Sequence, residues 1–288
     1  GAVRVPDGSV DPFRLCASNV FDAKIHGAKV LVYSEVIEFI KEQDTIKGVK
    51  VLDHHTGIVT DYYAPVTVNA GGIWGHHIAQ MAGANISMFP AKGALLIFAH
   101  RVNSVVINRC RKPANADILV PGDTVCVIGT TSTRVPYEEC DHLKVTPDEV
   151  DLLLTEGAKL APCLAETRVL RAYAGVRPLV SADNDPSGRN ISRGIVCLDH
   201  ETRDGIKGFI SITGGKLMTY RLMGEMAADA VCKKLGRDAK CVTADTPLPG
   251  SEPGGIEEIS KKIWEVPTMV QKASVGRFGT QAANLDFD

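Results

Sequence analysis

Residues 211–221 read Ser-Ile-Thr-Gly-Gly-Lys-Leu-Met-Thr-Tyr-Arg and run straight into LMGEMAADAVCKKLG, residues 222–236. The first part is a short apolar strand that stops at Gly214 and Gly215. In the second, Leu222, Met223, Met226, Ala227, Ala230, Val231 and Leu235 recur at helical spacing, with Lys233 and Lys234 in the last turn and Gly236 just beyond it;. A strand that ends in Gly-Gly at a helix start leaves backbone N–H groups aimed at an incoming anion or carbonyl. Glycine also lets the backbone approach a flat ligand closely. The same residues also fit a plain strand–turn–helix with a surface lysine, and spacing alone does not separate the two readings.

Val68-Asn69-Ala70-Gly71-Gly72-Ile73-Trp74-Gly75 repeats the pattern as strand, small residues and helix start. Small side chains at the carboxyl end of a strand again permit close approach of a ligand. In Ala174-Gly175-Val176-Arg177-Pro178-Leu179 an arginine lies in an apolar run, and Arg193 follows in GRNISRGI. Arg177, Arg193 and Lys216 together suit a phosphate clamped by charge-assisted hydrogen bonds. Solvated surface arginines are the alternative.

Outward from these stretches the texture is mixed. Asp11 followed by Pro12, with apolar side chains at Phe13, Leu15, Val20, Phe21 and Ile25, predicts a helix over residues 11–27;. AKVLVYSEVIEFI (28–40) reads as strand, and the next segment as strand, a turn at His55–Gly57, strand, and a final strand Val66–Asn69;. From Phe89 to about Ala172 short apolar segments separated by turns predict an antiparallel sheet, then a helix from about Thr146 to Leu160 opened by the capping pair Thr146 and Glu149;. Residues 173–236 return to α/β texture, and TPLPGSEPGG (246–255) is a linker to a short helix at Glu257–Trp264;. The fold class is therefore α/β (α+β mixed). The order of elements suggests part of a layered α/β nucleotide-binding domain with an antiparallel sheet inserted, in segments at 1–88, 89–172, 173–236 and 237–288.

Composition bounds the rest. The chain has 288 residues, 44% apolar and 23% charged, with a formal net charge of −2. Such a balance removes any whole-chain argument for nucleic-acid binding, and no apolar window is long enough for a spanning helix. Eight cysteines are scattered without a C-x-x-C pair, which fits reduced thiols in a cytoplasmic protein;. The pairs His54-His55 and His76-His77 lack further ligands nearby in sequence, so no metal site is expected;. Arg109, Arg111 and Lys112 read as a solvated turn rather than a binding patch.

Taken together, VDPFRL, VNAGGIWG, MFPAKG, VIGTTS, AGVRPL and ITGGKLMTYRLM resemble, in order and spacing, the FAD-dependent glycerol-3-phosphate dehydrogenases of the D-amino-acid-oxidase-like flavoprotein superfamily. NRCRKPANADILVPGDT and GGKLMTYRLM look in particular like the anaerobic bacterial branch, whose dehydrogenase is the catalytic subunit of a complex. The resemblance covers about residues 1–250 and implies a partial FAD/NAD(P)-binding layered domain interleaved with an antiparallel-sheet substrate domain. It implies FAD as cofactor, with Val36 at the adenine and Ala70, Gly71 and Trp74 lining the FAD. Gly214, Gly215, Lys216, Leu217 and Met218 would face the pyrimidine end of the flavin. Arg177 and Lys216 are the implied catalytic residues, and Arg177, Arg193, Lys216 and Thr219 the substrate-binding ones.

The resemblance also implies oxidation of sn-glycerol 3-phosphate to dihydroxyacetone phosphate, with electrons passed through partner subunits of a membrane-associated complex to a quinone. The protein would then be cytoplasmic and peripheral at the inner face of the membrane. Many relatives carry Lys-Gly-x-His where this chain has Lys92-Gly93-Ala94-Leu95. Leucine takes no proton, which leaves Lys216, another residue or water as the acceptor. The family's Gly-x-Gly-x-x-Gly element is expected upstream of Gly1 and its cysteine-rich region downstream. By that reading residues 1–288 are the middle of a longer enzyme and inactive alone. An FAD-dependent amine or amino-acid oxidase, or a docking scaffold without flavin, remains open on the residues.

Overall fold

The computed structural model describes residues 2–6, 8–112, 114–180, 194–251 and 254–285. The first elements are α1 (Pro12–Ile25), β1 (Ser34–Glu42), β2 (Thr45–Asp53), β3 (Val59–Tyr63), β4 (Thr67–Asn69) and α2 (Gly75–Met81). Next come β5 (Met88–Phe98), β6 (Ile107–Asn108), β7 (Ile118–Pro121), β8 (Cys126–Gly129), β9 (Thr133–Arg134) and α3 (Pro147–Leu160). The chain continues with β10 (Val169–Val180), β11 (Ile195–Asp199), α4 (His200–Asp204), β12 (Phe209–Gly214), α5 (Tyr220–Lys234), α6 (Ile256–Ile263) and α7 (Met269–Phe278). The mixed α/β class read from the sequence is what these elements form.

They gather into two units. The larger comprises residues 1–9, 35–53 and 57–239, the smaller 10–34, 54–56 and 240–288.

Three sheets make up the larger unit, ordered β1-β2-β3, β10-β5-β8-β7-β6 with β9 on β5, and β11-β12-β4. In the last, β11 runs antiparallel to β12 while β12 runs parallel to β4. Phe39, Ile46, Met88, Val180 and Phe209 come from five different strands and share one core, with the rings of Phe39 and Phe209 edge to face at 5.2 Å. Phe209 is fully buried, and a side chain of that size contributes about 1.5–3 kcal/mol by leaving water;. The β5 sheet has its own core farther along the strand, where Ala94, Leu96 and Phe98 meet Leu119, Ile128, Leu153 and Leu164. Helix α3 covers that core. Thr146 Oγ1 accepts from the Glu149 N–H and Glu149 accepts from the Thr146 N–H, the capping box expected from the sequence;.

Two expectations are corrected. The strand read from Ala28 begins only at Ser34, because Tyr33 sits at φ 53°, outside the extended region, and its carbonyl accepts from the His54 N–H;. The antiparallel sheet does not stop at residue 172. Strand β10 continues to Val180, paired with β5 along its length, so the 172/173 boundary falls inside a strand. Pro178 lies opposite Pro90 in that pairing, which confines the missing N–H groups to one rung of the ladder;.

In the smaller unit, α1 starts as predicted, with Asp11 accepting from the Phe13 and Arg14 N–H groups. Helix α6 occupies the position expected near Glu257–Trp264, and Ile259, Ile263 and Trp264 pack with Val275 and Ala282. Helix α7 was not expected, although Thr268 and Gln271 form a capping box at its start.

Candidate functional site

Strands β4 and β12 lie side by side and parallel, with Asn69 opposite Ser211. Their carboxyl ends therefore open at the same edge, and each runs into one of the glycine turns singled out above. Ligands of α/β sheets bind outside the carboxyl ends of parallel strands. Strand β10, which carries Arg177, packs against both β12 and the turn at Gly72–Trp74. The turns at Ala70–Trp74 and Gly214–Thr219 thus open at one edge of the β4–β12 pair, and the strand that carries Arg177 packs against β12 and the first of these turns.

The second turn is built by its glycines. Gly214 and Gly215 have φ values of 76° and 69°, and a Cβ on Gly214 would lie 2.4 Å from the Gly194 carbonyl oxygen. Only glycine fits. Thr219 closes the turn by donating its hydroxyl to the Lys216 carbonyl at 2.8 Å and accepting the Lys216 N–H at 3.1 Å. The one hydrogen of that hydroxyl is therefore committed to the backbone, and Thr219 has only acceptor capacity left for a ligand. Lys216, Leu217 and Met218 are exposed, Met218 to 78%. Leu217 and Met218 open a helical turn, so no bond within the turn uses their N–H groups;.

In the first turn the Trp74 indole N–H donates to Asp141 Oδ1 at 2.7 Å, which ties this turn to the loop before α3.

Arg177 is half-buried on β10. Its guanidinium donates to the Thr130 hydroxyl and to the Thr131 carbonyl at 3.5 Å, and it lies over Gly93 of the neighbouring strand. A Cβ on Gly93 would sit 2.6 Å from Nη2. Arg177, Gly175 and Tyr173 pair with Ala91, Gly93 and Leu95, so these six share the face of the ribbon opposite the β5 core;. His100 lies past the end of β5 and is exposed.

On the other face Lys92 is 8% exposed, and its ammonium donates to Glu149 Oε2 and to the Lys144 carbonyl, both at 2.9 Å. Burial pushes the Glu149 carboxyl up, but the Thr146 N–H and the Lys92 ammonium outweigh it and hold the group below the usual carboxylate range;.

A family model described as FAD dependent oxidoreductase matches residues 1–221. The chain belongs to the FAD-dependent oxidoreductase family. It is 60% identical over 285 residues to a subunit of the anaerobic glycerol-3-phosphate dehydrogenase of Haemophilus influenzae, covering 99% of this chain and 50% of that protein. It is also 60% identical over 279 residues to the corresponding subunit from Escherichia coli K12, covering 97% of this chain and 51% of that protein. The chain therefore spans about half the length of the curated relatives it matches. Among solved structures, a glycerol-3-phosphate dehydrogenase from Bacillus halodurans complexed with FAD superposes with a TM-score of 0.74 at 25% identity, over 93% of this chain and 54% of that one.

For a member of the FAD-dependent oxidoreductase family, not every expected residue falls at this edge. Val36 lies on β1 in a separate sheet, and Arg193 lies outside the described residues. The cluster read as a solvated turn is instead an ion-pair network. Arg109 Nη1 donates to Glu156 Oε2 at 2.8 Å, and Arg111 bridges Asp117 and Glu156. It fastens the NRCRK loop to α3. His76 stacks on Tyr137 at 4.8 Å, and burial pushes the Tyr137 phenol up to about 12. No described helix is long and apolar enough to cross a membrane.

Gly93, Thr130 and Asn69 were not picked out from the sequence. A glycine inside the strand MFPAKGALLIF and a buried asparagine ending an apolar strand were the available signals.

Proposed function

We propose that this chain is about half of the catalytic subunit of an FAD-dependent sn-glycerol-3-phosphate dehydrogenase. Its FAD-binding parts would lie in residues 1–88 and after strand β10 up to residue 236, with the substrate part between them and 237–288 the start of a C-terminal region. The observation that carries this is the opening of two glycine turns at the neighbouring carboxyl ends of β4 and β12, with the Arg177 strand packed against β12 and the first of the turns. The cradle fits the cofactor of the family: two flat glycine-lined backbones, with the N–H groups of Leu217 and Met218 left unused by their own turn. The relatives carrying the name of this activity support the substrate class.

FAD, when bound, supplies the acceptor for the hydride on C2 of the substrate. Ala70, Gly71 and Trp74 would line it on one side and Gly214, Gly215, Lys216, Leu217 and Met218 on the other, with Val36 at the adenine. Arg177 would hold the substrate beside the ring, with its guanidinium aimed by Thr130 and Thr131. Lys216 and Arg193 would complete the cationic clamp, and Thr219 would add an acceptor. The C2 hydroxyl proton passes to Lys216, another residue or water, since Leu95 takes none. Partner subunits would carry the electrons to a quinone and hold the protein, itself cytoplasmic, at the inner face of the membrane.

Arg193→Ala in the full-length protein tests the clamp. A charge-assisted contact to phosphate is worth about 1.5–3 kcal/mol, so kcat/KM for glycerol 3-phosphate is expected to fall about ten- to a hundredfold. Turnover of glycerol, which lacks the phosphate, stays nearly unchanged. Equal losses for both would show that Arg193 does not bind the phosphate.

A further inference from the structure

Asp204, at the surface, and the buried His200, Ser211 and Asn69 form one continuous hydrogen-bonded chain. His200 is fully buried, Ser211 1% exposed and Asn69 4% exposed. His200 Nδ1 lies 2.5 Å from Asp204 Oδ2, and its Nε2 lies 2.8 Å from Ser211 Oγ. Asn69 Nδ2 donates to Ser211 Oγ at 3.1 Å and to the Gly75 carbonyl at 2.8 Å, while Asn69 Oδ1 accepts the Gly71 N–H at 3.1 Å. Phe209 stacks against the imidazole at 4.6 Å.

The direction of every hydrogen follows from one end. Gly71 N is a backbone donor, so the atom facing it is the oxygen of Asn69, which settles the amide orientation. Both amide hydrogens are then spent on Gly75 and Ser211. The single hydrogen of Ser211 therefore points to Nε2 of His200, and the ring carries its own hydrogen on Nδ1, toward Asp204. A neutral imidazole in this tautomer matches every donor to an acceptor.

Serine, histidine and carboxylate in this order also occur in nucleophilic triads. Here Ser211 is bonded on both sides and buried, so no substrate reaches it. The chain ends instead on the Ala70–Gly75 turn. We propose that Asp204, His200, Ser211 and Asn69 are positioning residues that fix this turn for the cofactor. Asp204 sets the imidazole tautomer, His200 orients the Ser211 hydroxyl, and Ser211 holds the Asn69 amide that spaces Gly71 from Gly75. The proposal rests on the reading that this turn lines FAD.

Asp204→Asn is nearly isosteric and puts an amide where a carboxylate stood. With its amide nitrogen facing the ring, it moves the ring hydrogen to Nε2 and leaves Ser211 with two donors toward it and no acceptor for its own hydrogen. With its oxygen there it keeps the tautomer, so Ser211→Ala, which breaks the chain in either case, is the deciding variant. The test uses the full-length protein as Asp204→Asn and as Ser211→Ala. Three quantities are read: the FAD dissociation constant, the absorption maxima of the bound flavin, and hydrogen exchange of residues 70–75 in the FAD-free protein. The expected result is about tenfold or more weaker FAD binding, shifted maxima and faster exchange at 70–75. FAD affinity within twofold of wild type with unmoved maxima in Ser211→Ala overturns the proposal, even if Tm falls. If Asp204→Asn does not fold, Ser211→Ala decides by the same criterion. Whether glycerol 3-phosphate reduces the wild-type flavin is a separate reading, so the substrate assignment and the positioning chain can fail independently.

Discussion

Replacing Gly93 by alanine is expected to disable Arg177 without disturbing the fold. The added Cβ would lie 2.6 Å from Nη2, 2.8 Å from Nη1 and 3.0 Å from Cζ of Arg177. Ordinary carbon contacts need about 3.5 Å or more, so the guanidinium has to retreat by about 1 Å. It sits at the end of a flexible side chain, so it yields rather than the strand, and Tm should change little. The retreat pulls Nη2 from the Thr130 hydroxyl and shifts the charge relative to the substrate. A misplacement of about 1 Å costs roughly a hundredfold in rate, and a lost charge-assisted hydrogen bond about 1.5–3 kcal/mol, or ten- to a hundredfold. The assay is anaerobic stopped-flow reduction of the bound flavin across glycerol 3-phosphate concentrations, with Tm measured on the same preparations. An apparent second-order rate constant within twofold of wild type, in a folded variant, would refute the reasoning: the guanidinium over Gly93 would then not be the group that meets the substrate.

Lys216→Met should slow flavin reduction at saturating substrate, and an unchanged rate would return the Gly214–Lys216 turn to a plain strand–turn–helix. Glu149→Gln leaves the Lys92 ammonium buried without its counter-charge, so denaturant unfolding should show a loss of about 3–5 kcal/mol;. Lys159, Arg109 and Arg111 hold the Glu156 carboxyl at about 2, below its ordinary value of 4.5. A carboxyl depressed on folding stabilises above its unfolded value, and that contribution is lost as pH falls from about 4.5 toward 2. The Tm of wild type should therefore drop more steeply than that of Glu156→Gln between pH 5 and 3, and parallel curves would contradict the network.

Several local signals were legible where one residue type dictated the backbone. Asp11 with Pro12 announced α1, Thr146 with Glu149 announced α3, and the paired glycines at 71–72 and 214–215 marked the ends of β4 and β12. The apolar run 28–33 misled because β propensity is silent about the left-handed turn at Tyr33;. Strand β10 was cut short at 172 because the proline and glycine in AGVRPL look like a break, whereas register sets Pro178 against Pro90 and Gly175 against Gly93. Helix α7 was missed although Thr268-x-x-Gln271 carries the capping signature;. The packing of Arg177 on Gly93, and the path from Asp204 to Asn69, depend on which strands lie side by side. Single-chain spacing does not contain that information.

The most direct test is the visible spectrum of the purified full-length protein during anaerobic titration. The account predicts flavin bands that bleach with glycerol 3-phosphate and persist with D-amino acids. Bleaching by an amino acid but not by glycerol 3-phosphate, or a protein without flavin, would contradict it.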